Sequence, residues 1–189
     1  MSANELDAIE ERLDARRARE WGLARLGELF KSGELPDPHP DGFLLGHPLA
    51  FCPSGAIDMW GRRLAELHMP WLGKRFGAST NEGVNVLTPM AGRVLRVVMP
   101  GFEPERELAD RLEAFPFRTE AGPGALDGQT RVLKIDYDWP RNTVSFVRRI
   151  LDEIVQLDTG LYLGKALVRG RNNAWRELAY FSLTSRPSV

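Results

Sequence analysis

Residues 157–183 have the sequence LDTGLYLGKALVRGRNNAWRELAYFSL, and this stretch identifies the C-terminal half of the chain as a sheet. Two apolar runs, residues 161–169 and 175–183, flank a polar break that contains glycine, and a third run, residues 153–157, precedes them. Short apolar runs separated by turn residues are typical of strands joined by hairpins. The pattern predicts an antiparallel meander, but it does not indicate what the sheet binds.

Similar short runs recur through most of the chain, with proline and glycine between them. The predicted strands are residues 84–87, 93–99, 111–119, 131–139, 153–157, 161–169 and 175–183, with residues 42–51 as a candidate first strand. Short strands at this spacing favour an up-and-down barrel with a helix packed over one end. A β-sandwich and an α+β fold with helices on one sheet are the alternatives.

The N-terminal part of the chain predicts helices. Residues 2–31 carry two apolar stripes at helical spacing and begin with a capping box, Ser2 and Glu5. We therefore divide the chain into an N-terminal amphipathic helix, residues 1–33, and a single barrel-like domain, residues 34–189. The C-terminal half of that helix is expected to pack on the body, and residues 4–31 are a candidate homodimer surface.

Two shorter helices are expected within the larger domain. Residues 56–69 keep helical spacing of apolar side chains, with Ser54 as the N-cap. A second helix is predicted to begin at Asn142, with Val144 and Val147 on one face.

Composition excludes several classes of protein. The 25 basic and 26 acidic residues give a net charge of −1, whereas a general nucleic-acid-binding surface is normally basic. The single cysteine, Cys52, cannot form an intrachain disulfide, so a cytoplasmic location is expected. The sequence has no signal-peptide pattern and no apolar run that is long enough for a membrane span.

Alternation along residues 131–139 predicts which side chains face the interior. Leu133, Ile135, Tyr137 and Trp139 alternate with residues that include Asp136 and Asp138. The apolar and aromatic set is expected to face inward. The motif Asp136-x-Asp138 is therefore interpreted as a solvated strand edge, since no further metal ligand lies near it in sequence.

The run 161–169 leaves a choice open. One face carries Lys165 among leucines, and the other carries Tyr162 and the small residues Gly164 and Ala166. Small residues can leave room for a ligand or let another element approach closely. If Lys165 lies inside instead, it needs a buried partner or an anionic ligand.

Residues 42–87 resemble the opening domain of uncharacterised, mainly bacterial proteins that are named for a G-x-W-x-G motif. In that family the motif is followed by a helix and a W-x-G-K-R-F element, which Trp71-Leu72-Gly73-Lys74-Arg75-Phe76 matches. The G-x-W-x-G motif itself is reduced to its first glycine, Gly46. The resemblance implies a lipocalin-like or calycin-like barrel and no established activity.

Candidates for chemistry are sparse. His47, Cys52, Ser54 and Asp58 lie within twelve residues, but no nucleophile-elbow motif is present, and a buried thiol, a helix cap and a loop histidine explain them. His47 and His68 without a neighbouring carboxylate are weak candidates for a metal or haem site. No catalytic residue, metal ligand or cofactor is assigned.

The best candidates for binding are cations and aromatic side chains. Lys74 and Arg75 lie between Trp71 and Phe76 and could bind a carboxylate or phosphate, although we favour ion pairs with acids such as Glu66 or Asp58. The predicted ligand-binding residues are Lys74, Arg75, Tyr137, Trp139, Tyr162, Lys165, Trp175 and Tyr180.

The sequence thus favours a soluble protein that binds a small apolar or amphipathic molecule inside a barrel. One alternative is an enzyme, an isomerase or a hydrolase, on the same scaffold. The other is a protein–protein interaction module that uses the N-terminal helix.

Overall fold

The computed structural model describes residues 18–37, 39–52, 71–77, 80–99, 101–170 and 172–185. The predicted helix at residues 56–69, with Ser54, Asp58 and His68, and the first part of the N-terminal helix lie outside the described residues. The elements in chain order are α1 (Ala18–Ser32), β1 (Gly42–Phe51), β2 (Trp71–Phe76), β3 (Glu82–Leu87), α2 (Pro89–Val98), β4 (Arg106–Glu107), β5 (Leu112–Pro123), β6 (Arg131–Asp136), a 3-10 turn (Val147–Arg149), β7 (Ile150–Asp158), β8 (Leu161–Arg169) and β9 (Trp175–Ser185).

Eight strands close into an antiparallel barrel. Their order is β3-β2-β1-β9-β8-β7-β6-β5, and β5 pairs with β3 to complete the ring. The short strand β4 adds to β5 outside the ring. The predicted C-terminal meander corresponds to β7, β8 and β9. The predicted fold class, a mainly-β lipocalin-like barrel with an N-terminal helix and a helix over one end, is confirmed.

The prediction of a strand at residues 93–99 was wrong, because this segment belongs to α2. The Thr88 side chain accepts a hydrogen bond from the backbone N–H of Ala91 at 3.4 Å, and Pro89 occupies the first helical position. These are strong helix-start signals, and they outweigh the strand preference of the valines. Ala91 and Leu95, four residues apart, are buried against the barrel end at Leu112.

The helix that was predicted to begin at Asn142 is also much shorter than expected. Only a 3-10 turn, Val147–Arg149, forms, and β7 begins at the next residue. Asn142 instead fixes the turn after β6, because its side-chain amide donates to the carbonyl oxygens of Pro116 and Tyr137, each at 2.8 Å.

Helix α1 packs on the outside of the barrel, as expected for its C-terminal half. Leu26 and Phe30, one helical turn apart, are each 1% exposed and contact Leu49, Val155 and Tyr180 on the outer face. The barrel wall is therefore buried on both sides beneath α1. Neither helix in the described part of the chain has the length and apolarity that a membrane crossing requires.

Candidate functional site

A bulge in β2 brings two side chains of the W-L-G-K-R-F element to the interior. Trp71 and Lys74 are three residues apart, so a regular strand would place them on opposite faces. The register of β2 with β3 shifts between Trp71 and Gly73, and both side chains consequently face inward. Gly73 has φ +140°, and a Cβ there would lie 2.0 Å from the Leu44 carbonyl oxygen, so the close approach of β1 requires glycine.

Lys74 is the centre of a buried polar network inside the barrel. Its ammonium donates to Oδ2 of Asp152 at 2.8 Å, to Oδ1 of Asn85 at 2.9 Å and to the Tyr137 hydroxyl. The Tyr137 hydroxyl also donates to Oδ2 of Asp152 at 2.9 Å. We call Trp71, Lys74, Asn85, Tyr137 and Asp152 the polar network.

The amide of Asn85 joins the members of the network to one another. Its Nδ2 donates to the Tyr137 hydroxyl at 3.0 Å and to the Phe115 carbonyl oxygen at 3.2 Å. Its Oδ1 accepts from Nε1 of Trp71 at 3.1 Å as well as from Lys74. The network thus connects β2, β3, β7 and the residue after β6 across the barrel.

Aromatic rings enclose the ammonium of Lys74. Its Nζ lies 5.2–5.4 Å from four ring centroids, those of Trp71, Phe117, Tyr137 and Phe181. This range allows cation–π attraction. Burial lowers the pKa of Lys74, while the charge and hydrogen bond of Asp152 oppose that shift. Burial, together with Asp152, raises the pKa of Tyr137, so its hydroxyl keeps its proton and acts as a donor.

The two ends of the interior differ in packing. On the side away from α2, seven inward apolar side chains are at most 3% exposed: Leu44, Phe76, Phe117, Leu133, Ile135, Ile154 and Leu183. At this end Tyr162 is 7% exposed and Leu35 is partly exposed. On the side next to α2, the inward apolar side chains are partly exposed: Trp71, Phe115, Val144, Ile150 and Ala166. We call these five residues the partly exposed inner face. The polar network lies between the two parts.

The structure brings three of the eight predicted binding residues to the interior, Lys74, Tyr137 and Tyr162. Tyr162 belongs to the apolar inner cluster and has no hydroxyl partner among the described residues. The other five predicted residues lie outside the inner face, for reasons of strand alternation and turn geometry.

Lys165 and Tyr180 are directly paired on β8 and β9, and both lie on the outer face beneath α1. Lys165 is buried, with Nζ 3.9 Å from Oε2 of Glu153 and 4.3 Å from the ring centroid of Phe30. The Tyr180 hydroxyl donates to Oε1 of Glu177 at 3.1 Å. The expectation that Tyr180 lines the cavity is corrected, since its neighbour Phe181 takes the inward position.

The structure decides which face of residues 161–169 points into the barrel. Tyr162, Gly164 and Ala166 face the interior, and Lys165 is buried outside the barrel with a protein partner. Gly164 does not leave free space, because a Cβ there would lie 2.2 Å from the ring of Phe181. The small residue therefore admits an aromatic ring of the barrel itself.

Arg75, Trp139 and Trp175 lie away from the polar network. Nε of Arg75 is 3.0 Å from Oε1 of Glu113 on the outer surface, without hydrogen-bond geometry. Trp139 was expected inward but stacks between two arginines in the turn after β6, where the strand alternation has ended. Trp175 is partly exposed and contacts the guanidinium of Arg169 at 4.8 Å.

Of the five members of the network, the predicted binding residues include Lys74 and Tyr137 but not Trp71, Asn85 or Asp152. Asn85 lies between Val84 and Val86 on β3, and Asp152 lies between Ile150 and Ile154 among the inward positions of β7. A polar residue on an apolar face is the signal that could have identified them.

The sequence-adjacent nucleophile candidates do not form a site in the described residues. His47 is exposed on β1. Cys52 is partly buried, with Sγ 4.0 Å from Oε2 of Glu177. Burial and the negative charge of Glu177 raise the pKa of the Cys52 thiol to about 11, which disfavours a thiolate nucleophile. Asp136 and Asp138 are exposed, as expected, and Asp138 pairs with Arg148 at 2.8 Å.

Comparisons with known proteins give no assignment. No family model matches the chain, no curated protein matches it, and no solved structure matches it.

Proposed function

We propose that the barrel binds one small apolar or amphipathic molecule against the partly exposed inner face. The observation that carries this proposal is the division of the interior. One end is filled with apolar side chains, whereas the end next to α2 retains apolar surface that the protein does not fully cover. Small-molecule sites are typically apolar and concave, with a few polar groups that orient the ligand.

The polar network supports the proposal by its position. Lys74, Tyr137 and Asp152 lie at the boundary between the filled and the partly exposed parts of the interior. A buried ion pair seldom adds net stability relative to an apolar replacement. A polar group at the inner end of an apolar site is therefore more readily understood as a specificity element than as a stabilising one.

A dye-binding experiment tests the proposal. Nile red, a neutral apolar dye, should gain fluorescence on binding to the wild-type protein in a saturable manner. Ala166→Leu should fill part of the partly exposed inner face and weaken dye binding about tenfold, since overpacking a site costs about 1–3 kcal/mol.

Ala174→Leu is the matched control, because it makes the same change at an exposed residue outside the barrel. It should leave the dye affinity unchanged. Absence of saturable dye binding, or equal weakening by both substitutions, would refute the proposal. Circular dichroism of both variants verifies that each is folded.

Three further predictions rest on sequence alone and accompany this proposal. Membership of the G-x-W-x-G family rests on Trp71–Phe76, self-association rests on residues 4–31, and a cytoplasmic location rests on the single cysteine. Size-exclusion chromatography after deletion of residues 1–20 checks the self-association, since an unchanged mass would count against it.

A further inference from the structure

Within the described residues, every hydrogen-bond donor of the polar network already has an acceptor. The three N–H groups of Lys74 meet three acceptors, and the two N–H groups of Asn85 meet two. The single donors of Trp71 and Tyr137 each meet one. The network therefore has no donor left for a ligand.

Among the described residues, the hydrogen-bond acceptors of the network are not all used. Both hydrogen bonds that Asp152 receives from described residues end on Oδ2. An ionised carboxylate can accept on both oxygens, and none of the described residues donates to Oδ1. The Asp152 side chain is 8% exposed and lies beside partly exposed inward neighbours, Ile150 on its own strand and Ala166 across from it.

The charges of the network are already balanced. The ammonium of Lys74 and the carboxylate of Asp152 form a neutral pair at 2.8 Å. A carboxylate or phosphate on a ligand would add an unpaired negative charge to a buried site and could only accept hydrogen bonds. This balance counts against the anionic head group that a lysine in this position suggests at first sight.

We infer that the ligand of this site is a neutral amphiphile whose head group donates a hydrogen bond, most simply through a hydroxyl, to Oδ1 of Asp152. The inference rests on the proposed ligand-binding function. It narrows the ligand class from any amphipathic molecule to apolar alcohols and phenols. Lys74 then acts through Asp152, whose carboxylate it pairs with and orients.

Displacement of Nile red by three matched naphthalenes tests the inference on the wild-type protein. At neutral pH, 2-naphthol is a neutral donor, 2-methoxynaphthalene can only accept, and 2-naphthoate is an anion. We expect 2-naphthol to bind at least about tenfold more tightly than either of the others, because a hydrogen bond to a charged acceptor accounts for a factor of this size. Ala166→Leu should weaken 2-naphthol in parallel with the dye, and Ala174→Leu should not.

The possible outcomes distinguish failure of the hydrogen-bond-donor inference from failure of the proposed ligand-binding function. Equal or tighter binding of 2-naphthoate or 2-methoxynaphthalene would overturn the donor inference while the ligand-binding proposal stands. Saturable dye binding that none of the three compounds competes with would overturn it too. Absence of any dye binding would remove both.

Discussion

We predict that substitution of Lys74 strongly destabilises the protein, whereas substitution of its neighbour Arg75 does not. The reason is that these two residues of β2 face opposite environments. Lys74→Met removes a cation that is 2% exposed and leaves the Asp152 carboxylate buried without its ionic partner. Breaking a buried ion pair by removing one partner costs about 3–5 kcal/mol. A domain has about 5–15 kcal/mol of stability in total, so the loss should be a large fraction of it. Urea denaturation, followed by tryptophan fluorescence and circular dichroism, measures the change.

Arg75→Met is the matched control for this substitution. Arg75 is the next residue, but its side chain is 39% exposed and faces Glu113 on the outer surface. Exposed ion pairs contribute about 0–1 kcal/mol, so this variant should remain close to the wild type. Equal losses for the two variants would refute the placement of Lys74 inside the barrel.

A second substitution tests whether the loss arises from the unpaired carboxylate. In Lys74→Met/Asp152→Asn, no charge remains in the polar network and the Tyr137 hydroxyl keeps an acceptor. The double variant should be more stable than Lys74→Met alone, with a coupling energy of about 2 kcal/mol or more. The comparison also needs the stability of the single variant Asp152→Asn. If the losses of Lys74→Met and Asp152→Asn simply add in the double variant, the ion pair does not have the energetic role that its geometry indicates.

Three more predictions concern other parts of the barrel. Gly164→Ala places a Cβ 2.2 Å from the Phe181 ring and should destabilise by about 1–3 kcal/mol in the same denaturation assay, whereas Gly128→Ala, with open space around it, should be nearly neutral. Similar losses for both would contradict the close packing. Glu153 is fully buried, and burial raises its pKa above the usual 4.5. The folded state therefore holds this proton where the unfolded chain has lost it, and stability should fall as pH rises from about 4.5 through the raised pKa. Glu153→Gln should flatten that part of the stability–pH curve, and an unchanged slope would count against the assignment. Cys52, with a thiol pKa of about 11, should react with a disulfide reagent at pH 8 roughly tenfold more slowly than an unfolded control; an equal rate would disprove its burial.

Local patterns were sufficient for most of the strands, but they did not predict β2, Trp71–Phe76. The boundaries of β8 match the predicted range 161–169, and the inward positions of Leu133, Ile135 and Tyr137 follow from simple alternation. The valine-rich segment before residue 99 is helical although its β propensity predicts a strand, because the capping pair Thr88 and Pro89 starts a helix there. A closer use of helix-start signals would have identified α2.

The candidate site could not be derived in the same way, since its members come from three separate strands, β2, β3 and β7, and from Tyr137, the residue after β6. Alternation alone puts Trp71 and Lys74 on opposite faces, and only the bulge at Gly73, which is fixed by the approach of β1, brings both inward. Asn85 meets Lys74 by direct pairing of β3 with β2, whereas Asp152 becomes a partner of Lys74 only when the ring closes through β3 and β5.

The residues 157–183 show the same division between sequence and tertiary structure. Their alternation separates Lys165 from Gly164 and Ala166, and that separation is a local property of an extended chain. Which of the two faces becomes the interior depends on where α1 packs and on which aromatic ring fills the space over Gly164. Local periodicity thus specifies the strands and their two faces, whereas the closure of the barrel decides which buried charge meets which partner, because those contacts join residues that are distant in the chain.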